Sequence, residues 1–587
     1  MRIITCIAEK PSVAKDIAKV LGCKDVRDGY YEGNSPILNN DLVRVTWTFG
    51  HLCELKLPHE YRADWKKWNY AQLPLIPDRF QIKLKPNDGV KKQFGIIKDL
   101  FLSSDEIINC GDAGQEGELI QRWVLQKTGA KCPVKRLWIS SMTDEAIRDG
   151  FKHLVDQSKY QHLYEAGLAR ACGDWLIGMS ATRYYTFISG QHNQTFSVGR
   201  VQTPTLAMIV KRQEEIDNFV PEDYYVLSTI YRDVQFSATK GQYKNQEEAQ
   251  RDLESIKKEQ FTVTGITTKK SNEAPPRLYD LTSLQVEMNK KYGYSAEFTL
   301  ETLQSLYEAK LVTYPRVDTT YLPEDVYGDC PRILTGLAGY RDYTSKLTGK
   351  LRKDKKYFDS SKVTDHHAII PTGKTPYNQL SDAQINLYDD IVKHFIAIFY
   401  PDCTSSITTV TGKVGKVEFR ASGKQILDYG WYEVFGKAPE GKILPNFTKG
   451  ESGPHKPTLA KKTTTPPPLY TEATLLRAME TAGNEVDDEE LRAAMKANGI
   501  GRPSTRAAII ELLFKREYIA HQKKNIVPTT KGKTLIHVIT DKLLKSPELT
   551  GQWEKKLREV EAGTYPVAKF MDELKDMAYT IVQKKRA

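Results

Sequence analysis

IITCIAEKPSVAKDIAKVLG, residues Ile3–Gly22, decides the fold. Its first six residues form a short apolar run that reads as a buried strand. Val13, Ile17, Val20 and Leu21 then recur at helical spacing, with Ser12 as the expected cap and Gly22 as the stop. Glu9 therefore falls where a strand ends and a helix begins. The same grammar returns in IINCGDAGQEGELI, Ile107–Ile120, with Asp112 and Glu116 in the loop and a helix running on to Gly129. If the two strands are parallel neighbours, three carboxylates converge at their C-terminal ends, where open α/β sheets bind ligands. Carboxylates gathered in this way call for a hard cation, and an all-oxygen set suits Mg²⁺. The plainer alternative is a pair of loop acids that cap helices.

A second stretch carries different chemistry. In LVTYPRVDTTYL, Leu311–Leu322, Tyr314 precedes Pro315 and Arg316. A phenol with a pKa of about 10 is a poor nucleophile until a cation and a pre-shaped turn assist it. Pro315 fixes its own φ and biases Tyr314 towards an extended conformation. Arg316 offers a planar, permanently charged fork that matches a phosphate. The chain has 31 tyrosines, so the company of this one carries the reading.

TYPRVDT resembles the active-site segment of the type IA DNA topoisomerases, T-Y-x-R-T-D-S, with Val317 in place of Thr and Thr319 in place of Ser. The two strand–acid–helix units resemble the Toprim domain, one Glu followed by D-x-D-x-E, with Gly114 at the middle acid and Gln115 where Arg is common. Further segments resemble the same family in the family's order: RLWISSMTDEAI with Arg136, ARACGDWLIGMSATR with Arg170, Asp174 and Arg183 on an amphipathic helix, and SVGRVQTPTL. DHHAIIPT with His366 and GIGRPSTRA with Arg502, Ser504, Thr505 and Arg506 complete the series. AEKPS, LWISS, SVGRVQTPT and TYPR are closer to the topoisomerase III branch than to topoisomerase I.

The resemblance implies a multidomain α/β plus α and β chain with an N-terminal Rossmann-like Toprim domain in a toroidal architecture. Its expected parts are a Toprim domain at 1–152, a helical DNA-binding domain from 153–215 and 466–587, a discontinuous strand-rich arch from 216–273 and 404–465, and a helical domain at 274–403 that carries the tyrosine. It implies Tyr314, Glu9, Arg316, Lys10 and His366 as catalytic residues. One Mg²⁺ is expected on Asp112 and Glu116 with help from Glu9, because Gly114 removes an acid. The implied DNA contacts are His51, Arg136, Arg170, Asp174, Arg183, Ser197, Val198, Gly199, Arg200, Val201, Gln202, Glu308 and Arg506. The implied activity is ATP-independent cutting and resealing of one strand around the passage of another. Its substrates would be single-stranded, negatively supercoiled or catenated DNA, handled by a monomer in the cytoplasm, with a helicase or single-strand binding protein as assisting partners. A Toprim nuclease or primase would explain the acids but leave TYPR idle. An inactive single-strand binding protein is the alternative that Gly114 keeps open.

One internal echo needs no family. PPRLYDLTSLQVEM from Pro275 and PPPLYTEATLLRAM from Pro466 share an entry into a helix, each after a strand-rich stretch. Two prolines cannot continue a ladder, so each pair marks a boundary, and the two strand-rich stretches are expected to pair.

At 587 residues the chain exceeds one core, and three to five domains are expected. The charge of 85 − 74 = +11 suits a nucleic-acid partner, and no apolar run approaches the roughly twenty residues of a membrane span. Eight scattered cysteines without a Cys-x-x-Cys pair point to a reducing compartment and away from a zinc ribbon. Gly373-Lys374-Thr375 and Gly532-Lys533-Thr534 mimic the end of a P-loop, but the leading glycine positions hold Ala368 and Val527, so no ATP motor is expected. The basic-aromatic stretches Trp65-Lys66-Lys67-Trp68 and Arg183-Tyr184-Tyr185 can stack bases while neutralising phosphates, or be ordinary surface.

Overall fold

The structure, a computed structural model, describes residues 1–139, 142, 144–190, 194–363, 366–376, 379–436, 440–485, 495 and 499–583. Parts of the quoted motifs, namely Ser140, Ser141, Thr143 and Asp365, lie outside the described residues, as does the side chain of Ser504.

Ile3–Ala8 is a buried strand at the centre of a seven-stranded sheet, flanked in parallel by Asp41–Trp47 and Glu106–Cys110. Val134–Arg136 extends the parallel run, and antiparallel strands close both edges. Ala8 pairs with Cys110, so Glu9 and the loop after Cys110 leave the same end of the sheet. The first helix, Pro11–Leu21, starts two residues earlier than expected. Lys10 is its N-cap in extended conformation, no side chain caps it, and Ser12 lies inside the first turn. Pro11 sets that start, because its fixed φ suits the first helical position. Gly22 ends the helix at φ 84.

The strand-rich stretches on either side of the tyrosine segment pair into one antiparallel sheet of seven strands among the described residues. Phe261–Glu273 lies along Cys403–Val414, and Asp223–Tyr231 along Lys456–Thr463. After each stretch a Pro-rich step leads into a helix, Leu281–Tyr292 capped by Asp280 and Glu472–Thr481 capped by Thr471. These two echoing helices pack together, and Asn289 Oδ1 accepts from the Ala473 N–H at 3.1 Å.

The long helix Gln161–Ile188 departs from the amphipathic expectation. Leu163, Ala166, Ala169, Trp175, Leu176, Ala181 and Tyr185 are buried around most of its circumference, because Pro547–Glu561, Val567–Ile581 and Gln115–Thr128 all pack on it. No helix among the described residues is long and apolar enough to cross a membrane.

Candidate active site

Tyr314 is presented by a loop stitched to a second segment of chain. The helix Ala296–Glu308 ends, and Lys310 at φ 61 turns the backbone. The Thr313 N–H then donates to Ile370 O at 3.0 Å, and the Ile370 N–H returns a bond to Thr313 Oγ1 at 3.0 Å. Ala368, Ile369 and Ile370 are core residues, so the apolar half of DHHAIIPT clamps the tyrosine loop. Pro315 and Val317 turn inward while Arg316 stays exposed. The half-buried Tyr314 ring packs on His366 with 4.2 Å between centroids and on the edge of Tyr307 at 5.6 Å. Lys10 Nζ donates to the Tyr314 hydroxyl at 3.1 Å across a sequence separation of 304 residues. Burial, then the charges of Asp112 and Glu9, hold this phenol well above its ordinary pKa, so it is neutral as it stands. Burial also lowers His366, leaving an uncharged ring beside it.

The acids face the same space. Glu9, Asp112, Glu116, Tyr314, Arg316, His366 and Arg502 line one cavity of about 170 Å³. Glu9 is buried, and burial followed by the nearby Asp112 pushes its carboxyl up to about 8. Glu116 is not in the loop but in the first turn of the helix Gln115–Thr128, and it leans on His51 Nε2 at 3.6 Å. His51, then Arg502 and Arg316, outweigh its burial and lower its pKa. Among the described residues no three His, Cys, Asp or Glu side chains form a ready metal-binding group. The expected set of Glu9, Asp112 and Glu116 therefore shares a cavity without forming a ready ligand group, and Glu116 leans on His51 instead.

Arg136 corrects an expectation. It is fully buried rather than facing a strand of DNA: its guanidinium pairs with Glu118 at 2.9 Å and donates to Gly111 O at 2.6 Å and Asp112 O at 2.8 Å. It props the acidic loop from behind. Gly117 shapes that loop from the helix side, since a Cβ there would lie 2.3 Å from Asp112 O.

A groove of about 350 Å³ continues from the acids, lined by His51, Gln115, Trp123, Arg170, Asp174, Arg200, Val201, Arg502 and Glu554. Glu554 holds two cations, Arg170 at 2.9 Å and Arg200 at 3.5 Å, while Arg200 also pairs with Asp174 at 2.9 Å. Gln115 Oε1 accepts from Arg170 at 3.1 Å and from Arg502 at 3.2 Å, so the residue found where Arg is common ties the groove together. Burial alone would raise the Glu554 carboxyl, but Arg170 and then Arg200 hold it down at about 2. Glu554→Ala takes the shared carboxylate from the buried Arg200 and the half-buried Arg170, leaving them only Asp174 and Gln115, and is expected to destabilise the fold by up to about 3 kcal/mol in urea titrations at pH 7. A depressed carboxyl stabilises the fold above its unfolded pKa near 4.3, and that stability is lost as pH falls towards about 2. The difference between variant and parent should shrink over the same range.

The other implied DNA contacts divide. Within SVGRVQTPTL, Arg200 and Val201 reach the groove, whereas its neighbours build the turn that carries them. The Ser197 N–H donates to Tyr518 Oη at 2.6 Å, Val198 is buried, the Gly199 N–H donates to Thr203 Oγ1 at 3.0 Å, and Gln202 Nε2 donates to Ser197 O at 2.6 Å. Arg183 is buried away from the groove, with Nη2 donating to Trp65 O at 2.8 Å. Arg506 is buried against Thr282 Oγ1 at 2.9 Å. Both expectations gave way for one reason: a long arginine stem packs as a hydrophobe while a backbone or hydroxyl oxygen accepts from its head. Glu308 lies across Tyr314 from the groove, in a separate cavity of about 270 Å³ with Asp16, Lys19, Lys310 and Lys374.

A phenol beside an acid cluster and a basic groove defines a phosphoryl-transfer site on a Toprim-type sheet, and comparison with known proteins agrees. Residues 4–142 match the family model described as "Toprim domain", and residues 158–572 match the one described as "DNA topoisomerase". Proteins named DNA topoisomerase 3 from Bacillus cereus and Bacillus subtilis are 39% and 37% identical, each aligned over 98% of this chain and 81% of the relative. The Shouchella clausii protein of the same name is 38% identical over 99% of this chain and 81% of its own length. Full-length topoisomerase I from Thermotoga maritima shares the fold at TM-score 0.71 and 24% identity, over 98% of this chain and 90% of that one. The chain belongs to the type IA DNA topoisomerases, in the topoisomerase III branch, and is an isomerase that acts on DNA.

Proposed function

We propose that Tyr314 attacks a backbone phosphorus of single-stranded DNA, forming a 5′-phosphotyrosine as the bond to the 3′-oxygen breaks. The observation that carries this reading is Lys10 Nζ at 3.1 Å from the Tyr314 hydroxyl, with Glu9 in the same cavity. The phenol gives its proton to solvent water as the bond forms, and Glu9, protonated at neutral pH, gives one to the leaving 3′-oxygen. Resealing reverses both transfers. One phosphate ester replaces another, so no nucleotide is consumed. Lys10 and Arg316 stabilise charge on the phosphoryl oxygens, and prepositioned donors of this kind contribute roughly 3–4 kcal/mol each. His366 supports the ring. His51, Arg170, Asp174 and Arg200 seat the uncleaved side of the strand in the groove.

Glu9, Asp112 and Glu116 face one cavity, and an all-oxygen set of carboxylates suits a hard divalent cation. Asp112 and Glu116, with help from Glu9, would hold one Mg²⁺, which supplies fixed positive charge that aligns the broken ends. Chelation should therefore leave cleavage intact and suppress resealing, and calorimetry should find a single tight Mg²⁺ per chain. Two tight sites would overturn this arrangement.

Asp16 and Lys310, paired at 2.5 Å, join the first helix to the tyrosine-bearing segment beside Tyr314. Parting of these two bodies, with a 5′ end tethered on one and a 3′ end held on the other, would open a gap for a second strand. This implies a torus wide enough for DNA, with domains at 1–152, 153–215 with 466–587, 216–273 with 404–465, and 274–403, working as a monomer. Decatenation beside relaxation, with a helicase or single-strand binding protein assisting, follows from the same reading. Incubation of supercoiled plasmid and of catenated circles with Mg²⁺ and no ATP tests it. Both substrates should be converted, and failure of both under varied salt and temperature would leave a binding protein.

A further inference from the structure

The stretch Lys66–Tyr70 has no part in the mechanism above, yet it displays two large rings to solvent. Trp68 is 41% exposed and Tyr70 is 42% exposed. They are not loose. Trp65, just before them in the chain, is buried, and short 3₁₀ turns, Ala63–Lys66 and Tyr70–Gln72, shape the chain at either end. Phe187 meets Trp68 edge-on at 6.5 Å and Tyr70 at 6.2 Å. Arg183 lies under one face of Trp68, 5.2 Å from the ring centroid. Its Nη2 is held by Trp65 O, while Nη1 is buried with no hydrogen-bond partner among the described residues. A buried cation is thus spent on one side of an indole whose other side faces water.

The charged side chains within Lys66–Tyr70 are of one sign. Lys66 and Lys67 are exposed, and neither pairs with an acid among the described residues; the nearest acid in sequence, Asp64, is already engaged by Arg62 at 2.8 Å. Arg183 lies nine residues beyond Asp174 on the same helix, about 14 Å along its axis and half a turn round it. The strip therefore lies on the opposite side of the Gln161–Ile188 helix from the groove.

We propose that Lys66–Tyr70 is a second contact for single-stranded DNA: a base stacks on the open face of Trp68 beside Tyr70, and Lys66 and Lys67 neutralise the adjoining phosphates. The strand is the one seated in the groove, continued around the helix, so this inference rests on the groove reading above. Stacking on an aromatic face is indifferent to base identity, which suits an enzyme that must hold whatever sequence flanks its cut.

The test uses the full chain carrying Tyr314→Phe, so that no cleavage intervenes, and fluorescence anisotropy with thymidine oligomers of about 6 and about 30 nucleotides. Adding Trp68→Ala is expected to weaken the long oligomer about tenfold or more and leave the short one unchanged, with Trp68→Phe recovering most of the loss. Adding Lys66→Ala and Lys67→Ala should lower the slope of log affinity against log salt by about 1.4 for the long oligomer, about 0.7 per phosphate. Thermal melting checks that these surface variants stay folded. Long-oligomer affinity and salt slope that stay at the parent values overturn the proposal. Equal losses for both oligomers overturn it too, because Trp68 would then only support the groove. A parent that binds neither oligomer removes the groove reading, and this proposal with it.

Discussion

Tyr314→Phe should abolish plasmid relaxation and every trace of covalent protein–DNA adduct while leaving the protein folded and able to bind single strands. Removing a covalent nucleophile costs roughly 10⁴-fold or more in rate, because no neighbouring group takes over the displacement. The fold is expected to tolerate the change. Phenylalanine keeps the contacts with His366 and Tyr307, and only the hydroxyl that accepts from Lys10 is lost. One hydrogen bond to a charged donor is worth about 1.5–3 kcal/mol at most, and less at this half-buried position. Relaxation at a tenth of the parent rate would mean that another group forms the bond to phosphorus.

Glu9→Gln should slow strand cleavage by roughly 10² to 10⁴-fold, the usual contribution of a placed proton donor, since the amide fills the same space and gives no proton. The pH profile separates this role from mere packing. The carboxyl sits at about 8, so cleavage measured with the metal chelated should hold from neutral pH to about 8 and then fall as Glu9 ionises. The variant should show no such fall. Stability gives a second readout of opposite direction. A raised carboxyl holds its proton in the folded state after the unfolded chain has lost it, so stability declines as pH rises from about 4.3 towards 8. Glu9→Gln should remove that decline, and the variant should melt higher than the parent at pH 8.

Much of this was legible because it was local. The strand–acid–helix grammar at Glu9 and at Asp112 is set by neighbouring residues, and the sheet does bring both strands side by side. The tyrosine loop was legible through Pro315 and Arg316. Distances across the chain were not, and the arginines show why. Arg136, Arg183 and Arg506 look from sequence like Arg170 and Arg200, since every guanidinium suits a phosphate. Whether one faces a groove or a ring of carbonyls depends on residues far away, such as Glu118 for Arg136.

Glu554 was missed for the complementary reason. WEKKLREVE reads as a helix with a solvated charged face, and a glutamate among lysines draws no notice. The usable signal was periodicity: Thr550, Trp553, Glu554 and Leu557 share the buried stripe of the helix Pro547–Glu561, where a carboxylate requires a cation. Gln115 was read as a departure from a motif. The structure gives it work as the acceptor between Arg170 and Arg502.

The account stands on the chemical link between Tyr314 and one end of the broken strand. A single-stranded oligonucleotide, labelled at either end, is mixed with the protein and quenched with denaturant. The account predicts that the 3′-labelled fragment stays bound through a 5′-phosphate, that the 5′-labelled fragment is released with a 3′-hydroxyl, and that mass spectrometry places the adduct on Tyr314. An adduct on another residue, a link through the 3′ end, or cut DNA with no protein attached would contradict it.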